Sequence, residues 1–185
     1  MAATESKMME LGTQAPYFNL FDTISRNMLS IYDIKSEKAT VVMFICNHCP
    51  YVQHVMNTVL NIAREYSKMG IAFVAISSND IVNYPLDHPD IMEIVGKMAA
   101  FPFPYLFDEN QTVAKAYDAA CTPDFFVFNG NLKLAYRGRL DESRPKNDIK
   151  SDGKDLKKAL DSILEGNPVS EIQYPSIGCN IKWKP

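Results

Sequence analysis

Cys46-Asn47-His48-Cys49-Pro50-Tyr51 is the stretch from which the rest of the chain can be read. Directly before it runs Thr40–Ile45, β-branched and apolar throughout, which suits a strand buried on both faces. Directly after it, from Pro50 to about Met69, Val52, Val55, Met56, Val59, Ala63 and Tyr66 recur at three- and four-residue spacing. That spacing puts one apolar stripe on a helix, and Gly70 supplies its stop. The motif therefore occupies a strand-to-helix turn. Pro50 at the first helical position makes Cys49 the N-cap. Its sulfur then faces unpaired backbone N–H groups and the positive end of the helix dipole. Both favour thiolate over thiol, and a cysteine so placed titrates well below the free value of ~8.5 and acts as a nucleophile.

Working outward, Ile71–Ser77 reads as a second buried strand and Asn79–His88 as a polar loop. Pro89–Ala100 reads as a helix with Ile91, Ile94, Val95 and Met98 on one face. A short strand at Tyr105–Phe107 and a short helix at Gln111–Ala119 follow. Asp124–Phe128 and Leu132–Arg137 form a hairpin through Asn129-Gly130-Asn131. Asp152–Glu165 is the last helix, with Leu156, Ala159, Leu160, Ile163 and Leu164 inward, ended by Gly166 and Pro168. Phe18–Leu20 and Met28–Ile31 make a small hairpin near the start. Strand–helix–strand units require right-handed parallel crossovers, so the order predicts an α/β sandwich with a mixed sheet. In the tail, Ile177, Cys179, Ile181 and Trp183 alternate with Gly178, Asn180 and Lys182, the period of a half-buried strand. We expect residues 168–185 to dock on a 1–167 domain or on a second subunit, which leaves a homodimer open.

Composition narrows the function. The chain has 185 residues, 46% of them hydrophobic and 22% charged, as one globular domain would. A net charge of −3 gives no electrostatic footprint for nucleic acid. The longest apolar runs, Val41–Cys46 and Ile71–Ile76, have six residues against the ~20 of a membrane-spanning helix. Met1–Gly12 mixes Glu5, Lys7 and Glu10 with Met and Ala and shows no secretory core, so a cytoplasmic protein is expected. Four cysteines are too few for a disulfide scaffold, and in a reducing compartment they point to packing, redox chemistry or metal.

Each remaining cysteine has a place in that choice. Cys46 forms a Cys-x-x-Cys pair with Cys49, a redox spacing at a strand–helix turn, although Pro50 leaves Cys46 on the strand side. Cys121-Thr122-Pro123 precedes a strand, and a cis Thr122–Pro123 bond there would set Thr122 beside the helix terminus that carries Cys49. Cys121 would then be a neighbouring thiol. Cys179 is a resolving thiol if the tail lies over the site. Inert packing is the competing reading for Cys46, Cys121 and Cys179.

Several segments resemble the alkyl hydroperoxide reductase/thiol-specific antioxidant (redoxin) family and the peroxiredoxin-like proteins of thioredoxin fold. They are Gly12–Leu20, Asn47–Val52, Phe103-Pro104-Tyr105-Leu106, Cys121–Phe126, Tyr136-Arg137-Gly138-Arg139 and Pro175–Cys179 through Lys182-Trp183. The resemblance implies a thioredoxin-like fold with a central mixed sheet flanked by helices. It implies that Cys49 is the nucleophile and that Pro123 is the cis-Pro beside it. Three departures stand out. Cys46 replaces the Thr or Ser that peroxiredoxins keep three residues before their cysteine. The peroxiredoxin Pro four residues earlier still is Val42. Val52 replaces the second thioredoxin Cys.

The leading reading is a thiol-dependent oxidoreductase that needs no cofactor. Cys49 thiolate attacks a small peroxide, giving a sulfenic acid, or a protein disulfide, giving a mixed disulfide. Cys46, Cys121 or Cys179 resolves it, and a thiol reductant restores the enzyme. The second reading is copper or zinc binding by Cys46, His48 and Cys49, with His88 a better added ligand than His54. The third is a binding module without catalysis. His48 is otherwise a solvated loop residue, Asn79, Asp80, Asp141 and Ser143 are pocket candidates, and long side chains such as Arg137 could reach a bound anion.

Overall fold

A computed structural model describes residues 3–185. Residues 1 and 2, the head of the expected 1–167 domain and of the Met1–Gly12 segment, lie outside the described residues. The elements run β1 (Ala3–Glu5), β2 (Asn19–Asp22), β3 (Met28–Ser30), α1 (Ile31–Ile34), β4 (Ala39–Phe44), α2 (Pro50–Ser67) and β5 (Ile71–Ser77). Then come α3 (Pro89–Met98), β6 (Tyr105–Phe107), α4 (Thr112–Ala116), β7 (Cys121–Thr122), β8 (Asp124–Asn129), β9 (Leu134–Gly138), α5 (Lys154–Leu164) and β10 (Ile177–Asn180).

Seven strands form the main sheet in the order β3-β2-β6-β5-β4-β8-β9. β4, β5 and β6 are parallel, joined by the α2 and α3 crossovers, and the two hairpins add antiparallel strands at either side. The central strand β4 is buried at all six positions, as its unbroken apolar run requires. Its alternate residues feed two cores. Val41 and Met43 face one with α2 and α5, whose Tyr66 hydroxyl and Asp161 carboxylate bond at 2.6 Å. Val42 and Phe44 face the other, where Tyr117 packs edge-on against Phe126 and Phe128.

The helix expected at Pro89–Ala100 is present with a different buried face. Met92 and Gly96 are buried, whereas Ile94 and Met98 are exposed. Gly96 sets this rotation, because a Cβ there would meet Ile24 Cδ1 at 2.7 Å. The absent side chain lets the helix lie close against Ile24 along the line of Met92 and Gly96.

A second, three-stranded sheet runs β1-β10-β7. The tail strand pairs within its own chain, Ala3 opposite Cys179 on one side and Cys179 opposite Thr122 on the other. Cys179 and Ile181 are buried as their alternation implies, while Trp183 is 41% exposed beneath the Lys115 ammonium. Gly178 allows the close approach, since a Cβ there would fall 1.9 Å from the Thr122 carbonyl oxygen. Further bonds hold the segment. Ile181 N–H donates to Ala120, Lys182 N–H to Asn79, Asp80 N–H to Lys182 and the Gln111 amide to Lys182. None of the described helices is long and apolar enough to cross a membrane.

Candidate active site

The strand β4 ends at Phe44, and the chain enters α2 at Pro50, after the turn that carries Cys46 and Cys49. Cys49 is the N-cap, with extended backbone (φ −78°, ψ 119°) and Pro50 next to it. Its side chain is fully buried. Thr122 gathers three cysteines around itself. Cys46 Sγ is 3.4 Å from Thr122 Oγ1, Cys49 Sγ is 3.2 Å from the Thr122 carbonyl oxygen, and Cys179 is the residue opposite Thr122 across β7 and β10. The Thr122–Pro123 peptide is cis, which turns that carbonyl toward the helix end. All four cysteines are reduced and buried.

These neighbours divide the protons unequally. The Cys46 thiol, facing Cys49, is the largest influence and pulls Cys49 down to about 5. Burial opposes this, and the Cys179 thiol and the Val52 N–H of the first helical turn reinforce it. Cys46 pays the reverse of this arrangement. The Cys49 charge, burial and the Asp87 carboxylate hold its proton far above the usual thiol range. Cys179 is pushed up to about 12, by burial first and then by Cys49. At neutral pH the trio is one thiolate flanked by two thiols.

Cys121 is placed apart from this trio. Its Sγ lies 3.9 Å from the Pro123 and Ser176 carbonyl oxygens, and burial followed by Asp124 raises its proton affinity strongly. Arg137 does not reach a surface anion, because its side chain is buried in full. It donates to Asp124 Oδ2 at 3.2 Å and to the Asp118 carbonyl at 2.8 Å, and its guanidinium lies 4.5 Å from the centre of the Phe126 ring. The sequence spacing does not reveal this pairing; it depends on β8 and β9 being neighbours.

His48 is also not a solvated loop residue. Its side chain is 12% exposed, its ring stacks on Tyr84 at 5.3 Å, and Nδ1 lies 2.6 Å from Asp87 Oδ2. Asp87 is fully buried at the end of a 3-10 turn, Pro85–Asp87. It also accepts from the Asn47 N–H at 2.7 Å and the Asn79 amide at 2.8 Å. Asn79 in turn holds the tail through Lys182. Nothing in the spacing of the sequence pointed to Asp87, which lies 39 residues from His48.

The candidate metal ligands regroup accordingly. Among the described residues, Cys46, His48 and Asp87 offer ligand atoms within 4.8 Å of one another, so Asp87 rather than Cys49 completes the cluster. Asp87 already accepts three hydrogen bonds, which makes it a partner of His48 more than a free ligand. His88 caps α3 through its Nδ1 and the Asp90 N–H, and His54 is exposed on α2, so neither belongs to the cluster. Asp80 and Asp141 are turn-closing groups. Asp141 accepts from Ser143, Ser151, Asp152 and Gly153. A cleft beside Pro123, lined by Tyr51, Val55, Arg139, Arg144 and Ile177 among others, adjoins the site.

Comparison with known proteins adds a family and a fold. The profile described as Redoxin matches residues 10–156. An uncharacterized conserved protein from Geobacillus kaustophilus is similar over 100% of this chain and 98% of its own, at 55% identity and a TM-score of 0.98. A hypothetical protein from Sinorhizobium meliloti 1021 is similar over 98% of both chains, at 41% identity and 0.95. The thioredoxin domain of a thiol-disulfide oxidoreductase from Bacteroides vulgatus shares the fold at 15% identity and 0.62, over 83% of this chain and 99% of that one. No curated protein matches the sequence.

Proposed function

Since the chain belongs to the redoxin family, we propose that it is a thiol-dependent oxidoreductase in which the Cys49 thiolate attacks a small peroxide and a neighbouring thiol resolves the product. The observation that carries this is one sulfur held as thiolate at a helix N-terminus with two protonated thiols beside it. Attack of the thiolate on a hydroperoxide transfers one oxygen to sulfur and releases an alcohol or water, leaving Cys49 as a sulfenic acid. A second thiol condenses with it, a disulfide forms and water leaves. An external thiol reductant then returns both sulfurs to the starting state.

Burial favours the small oxidant. Cys49 is fully buried and β10 is hydrogen-bonded on both edges beside it, so a peroxide enters where a protein disulfide would have to displace the strand. Disulfide exchange is the second reading, and the β7 edge that β10 now covers favours it: β10 itself shows that an extended segment bearing a cysteine fits there.

The test is a titration of the reduced protein with hydrogen peroxide or with a peptide disulfide, followed by disulfide mapping and trapping of sulfenic acid with dimedone. We expect peroxide to oxidise Cys49 faster than the peptide disulfide does, and Cys49→Ser to abolish the reaction. A Cys49 that stays reduced with both oxidants removes the oxidoreductase reading.

A further inference from the structure

We propose that the cleft beside Pro123 is a carboxylate-binding subsite, in which Arg139 and Ser143 hold the anionic end of an organic hydroperoxide whose apolar body lies toward Cys49. This deepens the oxidoreductase reading and rests on it. Val55, Phe125, Leu140 and Ile177 give the cleft apolar surface, and Arg139, Ser143 and Arg144 add polar groups. Tyr51 and Pro123 border it on the side of the sulfur. Tyr51 is two residues beyond Cys49 in the first turn of α2, and Pro123 follows Thr122, whose carbonyl oxygen is 3.2 Å from Cys49 Sγ. The space, counted out to open solvent, is about 460 Å³. That is the scale of a small-molecule site and far more than hydrogen peroxide fills.

The polar groups select the charge. Arg139 is fixed in place: its Nε donates to Asp155 at 2.6 Å, and its guanidinium lies 4.6 Å from the centre of the Tyr174 ring. Its two terminal nitrogens bond no acceptor among the described residues, which leaves a positioned donor pair of the kind that grips a carboxylate. Ser143 is nine-tenths buried, and its Oγ has no hydrogen-bond partner. Such an orphaned hydroxyl is costly unless a ligand or water meets it. The acids lining the cleft are already engaged. Asp141 accepts from Ser143, Ser151, Asp152 and Gly153, and Glu142 pairs with Lys154. Arg144, exposed, forms no ion pair among the described residues. Arg139 thus takes the role of anion contact that the sequence offered to Arg137. In the reaction the Cys49 thiolate takes the terminal oxygen of the hydroperoxide and the O–O bond breaks. The sulfenic acid keeps the hydroperoxide hydrogen, and the alkoxide takes a proton from water and leaves as an alcohol that still carries its carboxylate.

The test uses the full-length reduced protein and two matched oxidants, cumene hydroperoxide bearing a ring carboxylate and the methyl ester of that acid. Intact-mass spectrometry after an acid quench times the oxidation of Cys49 by each. We expect the acid to react about 10-fold faster than the ester. The net charge of −3 repels anions at long range, so such a preference reports the local site. Arg139→Gln should bring the ratio close to one, and Ser143→Ala should lower it in part. Equal rates in the wild type, or an undiminished ratio in Arg139→Gln, overturn the proposal. Where Arg139→Gln does not fold, Ser143→Ala, which removes only an unpaired hydroxyl, decides in the same way. Binding of para-isopropylbenzoate, followed by NMR line broadening, needs no oxidation. If the wild type holds this acid and Arg139→Gln holds it about 10-fold more weakly, the carboxylate site stands even where no hydroperoxide oxidises Cys49, and only the oxidoreductase reading falls. Oxidation of Cys49 by hydrogen peroxide with no binding of the acid removes the subsite alone.

Discussion

Around Cys49 three effects meet on a single sulfur: the N–H groups of the first helical turn, burial, and two thiols. The first and third outweigh the second, and the sulfur titrates at about 5. The Cys46 thiol is the largest of these, so Cys46→Ala should move the titration upward toward the ordinary thiol value. The pH midpoint of the alkylation rate with iodoacetamide measures it, and an unmoved midpoint would show that the Cys46 thiol is not what lowers Cys49. Pro50 made this position legible, because a proline at the first helical position names the cap before it. Asp87 was illegible for the opposite reason. An aspartate in a polar loop after a strand is ordinary, and only the folded loop brings it 2.6 Å from His48.

Among the elements, β10 shows both what patterning conveys and what it leaves out. Its alternation said strand, and it is one. The partners β1 and β7 are three and two residues long, too short to carry a periodic signal of their own. α3 was misread in its facing because Gly96, not an apolar residue, marks the line of closest approach. Gly178 does the same for the tail. Gly178→Ala must push β10 off the Thr122 carbonyl, and overpacking of this kind costs about 1–3 kcal/mol. We expect urea denaturation to show that loss and Cys49 to react faster with bulky maleimides. Unchanged stability and reactivity would mean that β10 does not guard the sulfur.

Over the whole molecule, two buried acids oppose one another as pH changes. Cys49 is lowered from 9.0 to about 5, so the stability it contributes is present above about 9 and is lost as pH falls through about 5. Asp124 is raised from 3.8 to about 7, chiefly by burial against the pull of Arg137. Its contribution is complete below about 3.8 and lost as pH rises through about 7. Between about 5 and 7 the two trends offset each other. In Cys49→Ala only the Asp124 trend remains, so the variant should lose stability from about pH 5 to 7, and its deficit against the wild type should widen up to about 9. Urea midpoints across pH would show it, and a constant deficit would sink the assignment. β10 lies between β1, residues 3–5, and β7, residues 121–122, and it is translated after both. On the ribosome, α2 and the cis-proline turn emerge long before residue 180, so each newly made molecule passes through a stage in which its reactive sulfur is uncovered.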